Sequence, residues 1–303
     1  SNRRVETDGI IAAAFDHRTS RAGDPLLHTH VVTANMTRFH DKTGEVVWRS
    51  VESSNLFEHA KAAGCLYQAH LRHELAARLG VRFEPTNHGH AEINGIPAAV
   101  IDLFSKRRND IEEELAATGR TSARSAQVAT LETRKAKDYS VDAETLATRW
   151  VEEAATLGFD QAAARACVGG DRAAALDVVD GERILGLLGS PSGICAQAST
   201  FRRSDVVEAI STMVGSSATA SEIGDLADRF VTSAGVVAVN ATELSGRKVG
   251  RSAQQRWTTV ELAQIENRLL TLADRGVVGP YHRPNGQVIA DVVSSRPELS
   301  DEQ

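Results

Sequence analysis

The chain has 303 residues, 42% of them hydrophobic and 24% charged, with a net charge of −6. Those values fit a soluble globular protein of about two domains. No apolar run is long enough to cross a bilayer, and the acidic balance excludes a chain that binds polyanions through bulk charge, so any nucleic-acid contact must rest on local patches. The charge is unevenly spread: residues 1–140 carry 19 Lys+Arg against 18 Asp+Glu, and residues 141–303 carry 15 against 22. Cys65, Cys167 and Cys195 are isolated and odd in number. They support neither a zinc site nor a disulfide framework and fit a reducing cytoplasm.

Ser1-Asn2-Arg3-Arg4 has no initiator Met and no apolar signal core, so the start reads as a cut in a longer chain. Gly9 to Phe15 and Leu27 to Asn35 read as two strands separated by the turn-rich Arg18 to Pro25. Val46 to Arg49 reads as a third strand after the turn Asp41 to Gly44. Ser53 to Leu79 follows helical spacing with Leu56, Ala60, Ala63, Tyr67, Leu71, Leu75 and Leu79 as its apolar face, and Gly80 ends it. Short strands are expected at Val81–Phe83 and Ala91–Ile93, then a helix from Pro97 to about Ala117 and two more between Ser122 and Leu157. The fold class is therefore α+β, an antiparallel sheet with flanking helices. Residues 1–160 form the first domain, 161–195 a helical linker and 196–303 a mostly helical, winged-helix-like region. In the last, helices at Thr200–Met213 and Ala220–Ser233 precede a strand at Val236–Val239, a helix from Trp257 to about Arg275 and a strand at Val288–Val292.

His17, His28 and His30 carry the chemical signal. His28 and His30 alternate on one strand and project from the same face, and His17 ends the preceding strand. If the strands pair antiparallel, three neutral imidazoles converge and leave coordination positions open for substrate. A divalent metal held there can polarise a phosphoryl oxygen. Asp16 and Asp24 stand near enough in sequence to orient the imidazoles as acceptors behind them. Arg21, in the loop between the two strands, is the first candidate for a DNA phosphate contact. Lys106, Arg107 and Arg108 are further candidates, as are Arg134, Lys135 and Lys137, although Glu112-Glu113-Glu114 close behind Arg108 equally suits a solvated charged face. His88 and His90 have no third ligand at matching spacing and read as surface residues.

Phe15-Asp16-His17, Thr19-Ser20-Arg21, Asp24-Pro25, Leu27-His28-Thr29-His30 and Asn35 together resemble, in type and spacing, the three-histidine segment of TrwC/TraI-type conjugative relaxases. The likeness continues through Trp48-Arg49, the helix with Phe57 to Tyr67, Asn94 to Arg107 and Leu131 to Lys137, roughly the first half of the chain. The resemblance implies a five-stranded antiparallel sheet flanked by helices. It also implies nicking of single-stranded DNA at a plasmid origin of transfer through a 5′-phosphotyrosyl intermediate, with Mg²⁺ or Mn²⁺ on His17, His28 and His30 holding the scissile phosphate. Relaxosome and conjugative coupling proteins are the implied partners. The family's catalytic tyrosines lie well upstream of the histidines. Tyr67, Tyr139 and Tyr281 are the only tyrosines here and none matches, so the chain is expected to be inactive in nicking, with Tyr67 a packing residue.

In the second half, Ser199 to Ala209 and Arg256 to Leu270 resemble the stretch that precedes the helicase motor of these proteins, and Leu299 to Gln303 resembles the motor's opening. No GxxxxGK[ST] occurs, so ATP hydrolysis by this stretch is not expected. Two readings stand beside the relaxase: a module that keeps the histidines but only binds DNA or a partner, and a metal-dependent hydrolase with water as nucleophile. No Asp or Glu is convincingly placed as base for the latter.

Overall fold

The structure, a computed structural model, describes residues 5, 7–87, 89–119, 128, 141–176, 179–239, 255–278, 287 and 294. The first two strands form at the apolar runs on either side of the Arg18–Pro25 turn. β1 (Ala12–Thr19) pairs antiparallel with β2 (Pro25–Thr33), and both reach further into the turn than the apolar runs alone suggest. Ladder hydrogen bonds, not hydrophobicity, set where a strand stops. β3 (Thr37–His40) pairs with β4 (Val46–Arg49) around a turn built on Asp41, whose Oδ1 accepts from the Thr43 hydroxyl and from the N–H groups of Thr43 and Glu45. These bonds, the Thr43 hydroxyl foremost, hold the Asp41 carboxyl below its usual range. β3 lacks an apolar run, which is why its sequence gives no strand signal.

α1 (Ser54–Leu79) ends at Gly80, which is left-handed at φ 65° with its N–H on Ala76 O. Glycine is needed there twice over, since a Cβ would lie 2.3 Å from Gly170 O. The face α1 buries is not the expected apolar one. Ala62, Ala69, Arg72 and Ala76 are buried, while Leu56, Tyr67, Leu71 and Leu79 are exposed. Tyr67, at 59% exposure, is therefore not a packing residue. The reason is Arg72. Its guanidinium donates to Gly215 O at 2.9 Å, Gly89 O at 2.8 Å and Ser211 O at 3.2 Å, and it turns the small residues beside it inward.

The short strands expected at Val81–Phe83 and Ala91–Ile93 reduce to the bridge Phe83↔Ile93. The helix expected from Pro97 to Ala117 is two, α2 (Ala98–Leu103) and α3 (Lys106–Thr118), broken where the Ser105 hydroxyl donates back to Ile101 O. α4 (Ala143–Ala155) is capped by Asp142, which accepts from the N–H groups of Glu144 and Thr145. The rest of the helical expectation between Ser122 and Leu157, like the strand at Val288–Val292 and the segment Leu299 to Gln303, lies outside the described residues.

α5 (Gln161–Ala166), α6 (Arg172–Ala175) and α7 (Gly181–Gly189) follow. Then come α8 (Arg203–Met213), α9 (Ala220–Val231), β5 (Val236–Val239), β6 (Arg256–Thr259) and α10 (Val260–Val278). Thr219 and Glu222 box the start of α9, each side chain bonding the other's backbone N–H. The chain divides into two units, residues 1–184 with 207–227, and residues 185–206 with 228–303. In the second, β5 and β6 pair antiparallel, Phe201 bridges to Trp257 on β6, and Phe201 packs on Phe230 at 5.7 Å. The stretch from Trp257, expected to open a helix, begins instead with β6, and the helix starts at Val260.

The fold class is mixed, helices with small antiparallel sheets, as the sequence indicates. The sheets among the described residues are three separate two-stranded ribbons rather than one of five strands. No helix among these residues is long and apolar enough to cross a membrane. Replacing Arg72 with Met leaves three carbonyls, two in buried and one in a part-buried bond, without their donor. We expect a loss of about 2–4 kcal/mol, read as a lower urea midpoint by circular dichroism, with Arg72→Lys recovering only part because an ammonium cannot fork.

Candidate metal centre

Antiparallel pairing sets His17 directly opposite His28, and two residues on, Phe15 faces His30. The pleat places all four side chains on one face of the ribbon. The three imidazole rings meet edge to face, with centroids 5.2 Å apart for His17 and His28, 4.7 Å for His17 and His30, and 4.9 Å for His28 and His30. One nitrogen of each lies within 4.8 Å of the others. An ion about 2.1 Å from each nitrogen needs them roughly 3.4 Å apart, so binding would draw the three rings closer together. This is the only such group of potential ligands among the described residues.

Orientation comes from the backbone. The register shifts between His17 and Thr19, so β2 bulges at Leu26 and Leu27, and the bulge turns the Leu26 carbonyl toward its neighbour's ring. His28 Nδ1 lies 3.0 Å from Leu26 O. A carbonyl only accepts, so Nδ1 carries the proton and Nε2 keeps its lone pair for a ligand. Sequence reasoning missed this acceptor, because a backbone carbonyl leaves no residue signature.

Asp16 is not brought to the triad. Adjacent strand residues point to opposite faces, so it lies across the ribbon from His17, where it accepts a 2.6 Å bond from the Thr29 hydroxyl opposite. Asp24 is fully buried and serves the loop: its N–H donates to Ser20 Oγ at 3.1 Å, and that hydroxyl donates to Asp24 Oδ2 at 3.2 Å. Lys106 Nζ stands 3.4 Å from Asp24 Oδ1 and donates to Glu153 Oε2 at 2.8 Å, so this lysine is engaged within the protein. Arg108 is exposed and paired with Glu112 one turn on, and Arg107 is half-buried. Arg21 sits exposed in the β1–β2 loop. Arg134, Lys135, Lys137, His88, Tyr139 and Tyr281 lie outside the described residues, and His90 is exposed, as expected of a surface residue.

Three imidazoles converging on one face of a β-ribbon, with the Arg21-bearing loop beside them, form a group that could hold a metal ion. The family model for the TrwC relaxase matches residues 1–157, more than half of the chain. The chain belongs to the TrwC relaxase family. It is 35% identical over 179 residues to the multifunctional conjugation protein TraI of Escherichia coli, a match covering 54% of this chain and 10% of that protein. A second TraI, from strain K12, is 34% identical over 184 residues with the same shares. The chain thus spans about a tenth of the length of the curated relatives it matches. Among solved structures, the metal-free conjugative relaxase TrwC in complex with OriT DNA is 35% identical, with a TM-score of 0.45, over 50% of this chain and 53% of that one. A copper-bound TrwC complex is 34% identical, with the same TM-score, over 50% and 51%.

Two outcomes follow from the geometry. Side-chain ¹⁵N correlation spectra should find neutral His28 protonated at Nδ1 and bare at Nε2. Asp16→Asn should leave divalent-metal affinity within about twofold of the parent in calorimetry, since its carboxylate lies on the far face; a partner behind a ligand typically costs 10–100-fold when removed.

Proposed function

We propose that residues 1–160 form the metal- and phosphate-holding part of a conjugative relaxase, which nicks and transfers one DNA strand at a plasmid origin of transfer through a phosphotyrosine. His17, His28 and His30 are the ligands. The observation that carries this reading is the convergence of three imidazoles on one face of the β1–β2 ribbon in a chain of the TrwC relaxase family. When bound, a divalent ion supplies positive charge against a phosphoryl oxygen. Three neutral nitrogen donors and no carboxylate favour Mn²⁺ over Mg²⁺, which prefers oxygen.

The chain's own residues hold rather than attack. His28 keeps Nε2 available through the Leu26 carbonyl. Arg21 is the residue best placed for a neighbouring phosphate, because it is exposed in the loop joining the two ligand strands and its planar fork suits a phosphate. Lys106 has two carboxylate partners and drops behind it, while Arg107 and Arg108 follow. Tyr67, exposed on α1, has no acid or base bonded to it in the described structure and is not assigned as nucleophile. The tyrosine is assigned to the family's upstream position. Single-stranded DNA is the substrate, relaxosome and coupling proteins the partners, and the cytoplasm the place of action. Residues 161–195 act as a linker to the winged-helix-like region at 196–303, which by its resemblance precedes a helicase motor.

Titration of this chain with MnCl₂ should give one site by calorimetry, and the His28→Ala/His30→Ala variant should give none while keeping the parent's circular dichroism. A parent chain that takes up no metal would sink the reading.

A further inference from the structure

The loop between the two ligand strands is gripped from outside by helices that contribute nothing to the triad. Trp150, on α4, donates its indole N–H to Gly23 O at 2.8 Å. Lys106, at the start of α3, bridges Asp24 Oδ1 at 3.4 Å and Glu153 Oε2 at 2.8 Å, and Arg149 holds the other oxygen of Glu153 at 3.2 Å. Asp24 is 1% exposed, and its Oδ1 has no hydrogen-bond partner, so the Lys106 charge is what offsets the burial of that carboxylate. Gly23 and Asp24 are the last residues before β2. The latch therefore fixes where β2 begins and, through the bulge, which face its histidines take.

A two-stranded ribbon pins its own register weakly, and a slip of one residue would send His28 and His30 to the opposite face. We infer that Lys106 and Trp150 are positioning residues for the metal centre: they hold the β1–β2 loop so that His28 and His30 stay in register with His17. This rests on the metal reading above. The latch acts on geometry and not on charge at the ion, since neither residue is a ligand.

The test uses the chain as it stands, with Co²⁺ alone as probe, its visible absorption reporting coordination and a titration reporting affinity. Lys106→Met and Trp150→Phe are each expected to weaken Co²⁺ binding by about tenfold or more and to alter the absorption bands. Lys106→Arg, which keeps the charge between the two carboxylates, should return to within about threefold of the parent. Arg78→Ala, an exposed helix-surface change, serves as control and should match the parent. Affinities of Lys106→Met and Trp150→Phe within twofold of the parent, or no recovery by Lys106→Arg when Lys106→Met has lost affinity, would overturn the positioning role while leaving the triad's reading intact. A parent chain that binds no Co²⁺ would overturn both.

Discussion

Everything proposed for this chain depends on one pairing, His17 opposite His28 across an antiparallel ribbon. Neither strand can make the site alone. β2 supplies two imidazoles on one face because strand side chains alternate, and the third arrives only if β1 is in register. A ribbon exposed on both sides has little hydrophobic burial to enforce that register: Val31 and Val32, on opposite faces of β2, are 62% and 59% exposed. The fixing comes from polar groups instead, namely the Ser20–Asp24 loop staple, the Thr29–Asp16 bond on the far face and the contacts of α3 and α4 with the loop. Polar bonds are directional where burial is not, and direction is what a three-ligand site requires.

How much was legible in the sequence follows the same division between pattern and geometry. The triad was legible because His-x-His at period two already implies a shared face and His17 ends the strand before it, within reach if the two strands pair antiparallel; the TrwC resemblance then favoured the metal reading of the three. Asp16 shows the limit. It neighbours His17 in sequence, yet the pleat that unites the histidines sends it to the other side. Asp24 and Lys106 were both singled out and assigned outward, to imidazole or to DNA, whereas in the structure each faces the other. A carboxylate and an ammonium separated by 82 positions carry no local signal of their contact.

Helices show a parallel pattern. The extent of α1 was readable from spacing and from Gly80, but its buried face was not, because an arginine occupies the centre of that face. Periodicity scores Arg72 as solvent-facing, whereas three backbone carbonyls make its burial tolerable. The break between α2 and α3 was hidden for a related reason, since a serine in a helical pattern looks neutral until its hydroxyl bonds back to the preceding turn. The helices Arg203–Met213 and Ala220–Val231 and the strand Val236–Val239, by contrast, were visible in cap residues and apolar runs alone.

The Arg72 contacts have a bearing on how the chain comes to be folded during synthesis. The partners Ser211 and Gly215 lie about 140 residues downstream, well past the stretch that matches the relaxase family. A ribosome that has just released residue 157 has therefore made a helix with a guanidinium still waiting for most of its acceptors. Closure comes only when α8 emerges, and such long-range contacts are slow to form and leave surface exposed meanwhile. In evolutionary terms, the histidine-bearing half and the segment after it are not freely exchangeable modules: a recombination that brought in a foreign sequence for residues 207–227 would have to bring carbonyls to the same places, or replace the arginine as well.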